Sequence, residues 1–109
     1  MAPDAIPALL EQIDELLAEP ADEPATLGLL ERTLTDGYAY VLALEAERWR
    51  LERRMSELAR ELHDGNRELK ARELAQVSAR LTTNADVLAG LRATLSQLRA
   101  RVTALRAGT

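Results

Sequence analysis

Two apolar heptad repeats of nearly equal length flank one tetrapeptide breaker, His63-Asp64-Gly65-Asn66. With Leu27 at heptad position a, the a positions of the first repeat are Leu27, Leu34, Val41, Arg48, Met55 and Leu62. Its d positions are Leu30, Gly37, Leu44, Leu51 and Leu58. Only Gly37 and Arg48 interrupt the apolar seam. With Leu74 at a, the second repeat reads Leu74, Leu81, Leu88, Leu95 and Val102 at a, and Val77, Asn84, Leu91, Leu98 and Leu105 at d. Here only Asn84 is polar. Such a period belongs to helices that bury one narrow stripe. Gly65 suits the left-handed residue that ends a helix, and Asp or Asn beside it can cap the next one. The pattern predicts two helices of about 40 residues, each about 60 Å long, folded into an antiparallel hairpin with its turn at 64–66.

The turn also selects a register. In an antiparallel pair each a layer faces a d layer, so Leu27 faces Leu105, Val41 faces Leu91, Met55 faces Val77 and Leu58 faces Leu74. The same register sets Arg48 opposite Asn84. A lone polar layer in an apolar seam fixes register at a cost in stability, and Arg48 with Asn84 is the candidate for that role. Thr35-Asp36-Gly37 and Thr82-Thr83-Asn84 are local breakers, and a bundle of shorter helices is the rival architecture. The heptad phase passes through both without a slip, which favours continuous helices.

Residues 1–25 form a separate segment. Ile6, Leu9, Leu10, Ile13, Leu16 and Leu17 recur at three- and four-residue spacing, one apolar face of a short amphipathic helix. Asp4 is a candidate N-cap, and Pro7 is tolerated only in the first turn. Pro20 and Pro24 bracket an acidic connector, and the second helix is expected from about Thr26. The fold class is therefore all-α: a long hairpin, coiled-coil in pattern, over residues 26–109, with an N-terminal amphipathic helix, assembling into a helical bundle. A single hairpin buries only one seam, which is little against the entropy of ordering two such helices. Self-association is expected, with a homodimer favoured.

Composition agrees. Ala, Leu, Glu, Lys and Arg supply 66 of the 109 residues, above the roughly 50% at which a heptad pattern indicates long helices. There is no Cys, so disulfides and thiolate metal sites are excluded. The sole histidine, His63, sits at the turn, where a cation complements a helix C-terminus. Three residues before it stands Arg60, so the Glu-x-x-His pattern of di-iron bundles is missing. No Gly-rich phosphate loop and no activated nucleophile is found. The expectation is a non-enzyme without cofactor. The longest apolar run, Tyr38 to Leu44, is far short of a membrane span. The start of the chain carries Asp4 and no base ahead of its apolar stretch, the wrong sign for a signal peptide. A cytoplasmic protein is expected.

Charge is uneven. Residues 1–36 hold nine acids and one Arg, whereas residues 37–109 hold nine acids and thirteen bases. Arg92, Arg99 and Arg106 form an e-position stripe on the last helix that resembles a phosphate-tracking face. Helix two offers Glu31, Glu45 and Glu52 at e, and on the other flank Glu47 and Arg54 are in reach of Arg80 and Glu73. Internal pairing accounts for the stripe, and the acidic first third repels phosphates, so nucleic acid is an unlikely partner.

The off-seam residues point to a protein surface. Tyr38, Leu42 and Trp49 lie at e, b and b, with Ala39 and Ala46 among them. Exposed apolar strips of this kind require a cover, supplied either by the N-terminal helix folding back along helix two or by a partner chain. Trp and Tyr near Arg are common interface anchors. Tyr38, Leu42 and Trp49 are thus the candidate interface, the protein partner unknown. A structural or adaptor coiled-coil protein is the first functional expectation. In outline, an acidic hairpin of roughly 100 residues resembles the Trp-x-Gly family of small secreted helical hairpins, although the turn here reads HDGN. That resemblance implies the second expectation, a secretion chaperone or secreted hairpin protein.

Overall fold

The computed structural model describes residues 5–18 and 24–108. Three helices account for almost all of them: α1 (Ala5–Ala18), α2 (Pro24–Glu61) and α3 (Arg67–Ala107), with no strand among the described residues. Helices α2 and α3 pack against each other as the expected antiparallel hairpin. Helix α2 starts at Pro24, two residues before the expected Thr26. Proline at the first helical position loses no hydrogen bond and has its φ preset. The Asp4 cap and residues 19–23 of the connector lie outside the described residues.

Neither local breaker interrupts a helix. Thr33 and Thr35 donate their hydroxyls to the carbonyls of Leu29 and Glu31, and Thr82 and Thr83 to those of Ser78 and Ala79. Each hydroxyl is satisfied one turn back along its own helix, so it does not compete for a non-helical turn. At the hairpin turn Gly65 has φ 94° and Asn66 φ 50°. Glycine adopts the left-handed region without a Cβ penalty, and asparagine tolerates it better than most residues. The Asn66 carbonyl accepts the Lys70 amide and opens α3. The Lys70 ammonium reaches back to the Glu61 carbonyl at 3.0 Å, satisfying one orphan acceptor at the end of α2.

The chain divides into two compact units, one formed by Met1–Ala43 with Ala89–Thr109, the other by Leu44–Leu88. The first contains α1. Its core joins Ile6, Leu9, Ile13 and Leu16 of α1 to Leu30 and Val41 of α2 and to Leu91, Leu95, Leu98 and Val102 of α3, all buried. Each such side chain contributes about 1.5–3 kcal/mol when fully removed from water. Gly37 is part of this core. A Cβ there would fall on the Leu95 side chain, whose Cδ1 and Cγ would lie at 3.1 and 3.2 Å. The missing side chain lets Leu95 press against the α2 backbone, and α2 continues through the position as regular helix.

Helix α1 occupies a definite flank of this unit. Its Ala8, Leu9 and Gln12 line a shallow groove with Asp36, Ala39 and Tyr40 of α2. Thr33 is buried, and the Arg101 guanidinium of α3 donates to the Leu17 carbonyl at 3.2 Å, capping the end of α1. Thr33, Tyr40 and Arg101 are all g positions of the heptads above. The opposite e flank holds Glu31, bonded to Arg106 at 2.7 Å.

The second unit contains the turn and has two helices. Leu51, Leu58 and Val77 form its buried cluster, with Met55, Leu74 and Leu81 packed against it and half-buried. Its g flank is charged: Glu47 pairs with Arg80 at 3.0 Å and Arg54 with Glu73 at 2.6 Å. These are the cross-helix pairs expected from the sequence. The Glu73 hydrogen bond, followed by that of Glu57, raises the Arg54 pKa above its ordinary value.

Candidate interaction surface

The three candidate interface residues all face solvent. In the α1-bearing unit, Tyr38 is exposed and Leu42 is 67% exposed. In the turn unit, Trp49 is 62% exposed. Their e and b positions explain this: the wheel carries them away from the seam, and α1 takes the g flank. Of the two covers expected, the N-terminal helix does not lie over them: it meets Tyr40 and Arg101 on the g flank. The Arg53 guanidinium stacks on Trp49, 5.3 Å from its ring centroid. This stacking leaves most of the indole in water and is worth about 0.5–1 kcal/mol at an exposed site.

Arg48 and Asn84, the polar layer expected from the heptads, have separate hydrogen-bond partners. Asn84 is buried, 7% exposed, and its Nδ2 donates to the Leu44 carbonyl at 3.0 Å. Its Oδ1 is buried without a hydrogen-bond partner. Arg48 turns outward, its side chain 47% exposed, and its Nε bonds Glu52 at 3.0 Å. A guanidinium drawn into the seam would lose hydration that one amide oxygen does not replace, whereas a carboxylate one turn away leaves it solvated. The polar interruption is thus a side chain against the α2 backbone. The carbonyl it meets is the one that the Arg48 amide faces in a regular helix.

Leu69, 63% exposed near the start of α3, went unnoticed in the sequence reading. It lines a shallow groove with Asn66, Lys70, Arg72, Glu73 and Gln76. Its signal was a leucine at a c position, outside both seam and flanks. Of the Arg stripe, Arg106 bonds Glu31 as expected, while Glu52 pairs along its own helix with Arg48.

Among the described residues no group of three or more His, Cys, Asp or Glu stands where it could hold a metal ion, and no helix is long and apolar enough to cross a membrane. What the surface presents is large apolar side chains, bordered by arginine and glutamate. No family model, curated protein or solved structure matches this chain.

Proposed function

We propose that the chain is a non-enzymatic adaptor of coiled-coil type, which assembles with a second copy of itself and binds protein partners through exposed apolar side chains. The observation that carries this reading is the exposure of Leu42 and Trp49, 67% and 62%. Both lie at b positions of α2, off the hairpin seam, and tryptophan with arginine beside it is typical of interface centres. The proposed setting is the cytoplasm. The acid-rich N-terminal stretch disfavours nucleic acid as the partner, because its field opposes phosphate.

Sedimentation equilibrium over a concentration series tests the reading. The expected species is about twice the 12.0 kDa chain mass. Leu42→Ala with Trp49→Ala should shift dissociation to higher concentration while circular dichroism keeps its helical signal. A wild-type chain that stays monomeric throughout the series overturns self-association. A double variant that assembles like wild type removes these side chains from the contact.

A further inference from the structure

Helix α2 runs unbroken from Pro24 to Glu61, so helix geometry fixes where its side chains stand relative to one another. Turned away from the hairpin seam, Tyr38, Leu42, Ala46, Trp49 and Arg53 form a straight row at three- and four-residue spacing, every one exposed. The middle of the row is apolar, and Arg53 at its end stacks on Trp49. Thr35 and Ser56 extend the row by one step at either end, and both are exposed. Helix α1 lies on the g flank and leaves this face open.

We propose, resting on the self-association put forward above, that this row receives the same row of a second copy, α2 against α2 and antiparallel, about a two-fold axis between Glu45 and Ala46. The row is complementary to itself in that direction. Leu42 and Trp49 lie equally far on either side of the axis, so the leucine of each copy meets the indole of the other. Tyr38 and Arg53 are equidistant from the same axis, and so are Thr35 and Ser56. The Arg53 guanidinium then meets Tyr38 of the partner copy as well as its own Trp49, two aromatic faces for one cation. Thr35 and Ser56 donate their hydroxyls to the Glu31 and Glu52 carbonyls of their own helix, so covering them leaves no donor unmatched. Ala46, beside the axis, is small and lets the two helices approach closely. The acidic e positions stay at the rim: Glu52 bonds Arg48, and Glu45 is engaged within its own chain. At the two ends of the contact Glu31 of each copy stands level with Arg60 of the other, opposite charges brought together twice. A parallel pairing sets Arg53 against Arg53 and Arg60 against Arg60, so charge selects the antiparallel arrangement.

The chain has no cysteine, so single introduced cysteines report which positions meet. Thr35→Cys and Ser56→Cys are small replacements at exposed sites off the seam, and circular dichroism should show the wild-type helical signal for both. Mixed and mildly oxidised in the full chain, the two variants should give a disulfide-linked heterodimer, because the bond needs Cα atoms within about 7 Å. Neither variant should link to itself, since its own two cysteines would lie about 30 Å apart along the antiparallel pair. Heterodimer at least tenfold above either homodimer is expected. Sedimentation equilibrium of the wild type, run alongside, separates this placement from self-association itself. A dimeric wild type overturns the placement alone if either variant links to itself as readily as to the other, or if the mixture gives no link. A wild-type chain that is monomeric at every concentration overturns the assembly, and this surface with it.

Discussion

The unit that contains α1 and the unit that contains the turn are built from the same two helices in one heptad phase, yet they bury very different amounts of side chain. In the first, both a and d positions of α3 close: Leu91, Leu95, Leu98 and Val102 are all buried. In the second, Leu51, Leu58, Val77 and Leu88 close, whereas Met55, Leu74 and Leu81 stop half-way. A third helix accounts for the difference. Two helices meeting along a narrow stripe shield only the residues aimed at the partner axis, and a third closes the groove beside them. Flanking positions decide whether a third helix can come. Beside α1 the g positions are Thr33, Tyr40 and Arg101, the last capping the end of α1; in the turn unit glutamate and arginine at g pair with each other instead.

Truncations on the two sides of this contrast should give the largest effects. Ile13→Ala removes a fully buried side chain of α1 and should destabilise the fold by about 2–5 kcal/mol. Met55→Ala in the turn unit should be milder, about 1–2 kcal/mol, because part of that side chain already contacts water. Chemical denaturation of both variants at one protein concentration measures the gap. Equal losses would mean that Met55 is as fully covered in solution as Ile13.

The sequence made the elements of both units legible and the third-helix contacts much less so. Gly65 announced the turn, and the heptads announced the helices, because backbone conformation and seam burial depend on residue type and spacing alone. Glu47–Arg80 and Arg54–Glu73 were readable for the same reason: register fixes which charges meet. The side on which α1 docks was not, since a/d patterning describes a two-body contact and is silent about its flanks. The outward turn of Arg48 was missed because position a fixes where a Cβ points, while a long flexible chain still chooses between seam and solvent. For the interface itself, the sequence supplied Tyr38, Leu42 and Trp49 by their off-seam positions. Leu69 escaped because a single leucine shows no period.

Glycines sharpen the contrast at intermediate size. Gly37 lies in the closed seam of the α1-bearing unit, where an added Cβ runs into Leu95, whereas Gly28 of the same helix has open space around it. Gly37→Ala gains about 1 kcal/mol of helix propensity but overpacks a site with no room, a penalty of about 1–3 kcal/mol. A net loss of about 1 kcal/mol is expected. Gly28→Ala carries only the propensity gain, and should raise stability by about 0.5–1 kcal/mol. Urea unfolding of the pair decides it. A stabilised Gly37→Ala would show that Leu95 rotates away freely, and that the close approach at this level is not required.

Asn84 and Arg48 carry the last comparison, which concerns what the turn unit does with its limited burial and ends on the smallest expected effect, that of Arg48. This unit has the fewer closed positions, yet it places an amide in one of them. The Asn84 Nδ2 gains a bond to the Leu44 carbonyl, but that carbonyl sits where the Arg48 amide already serves it in a regular helix, so the acceptor needs no second donor. The Oδ1 gains nothing and is cut off from water. A buried acceptor left unmatched costs about 1–3 kcal/mol, against about 1 kcal/mol contributed by a neutral hydrogen bond. Replacement by leucine removes both terms and adds apolar contact with the seam. Asn84→Leu should therefore stabilise the chain by about 1 kcal/mol, a rise of about 4–8 °C in Tm for a domain of this size. Arg48→Leu should do far less, since the guanidinium lies outside the seam and its bond to Glu52 is an exposed helix pair worth about 0.3–0.5 kcal/mol. Thermal melts at a fixed chain concentration, with the two substitutions made singly and together, separate these contributions. Additive shifts are expected, because the structure gives the two side chains separate partners. A drop in Tm for Asn84→Leu would mean that its bond to the α2 backbone holds the two helices together more strongly than a leucine can. Strong coupling between the substitutions would return Arg48 to the seam and restore the polar layer that the heptads implied.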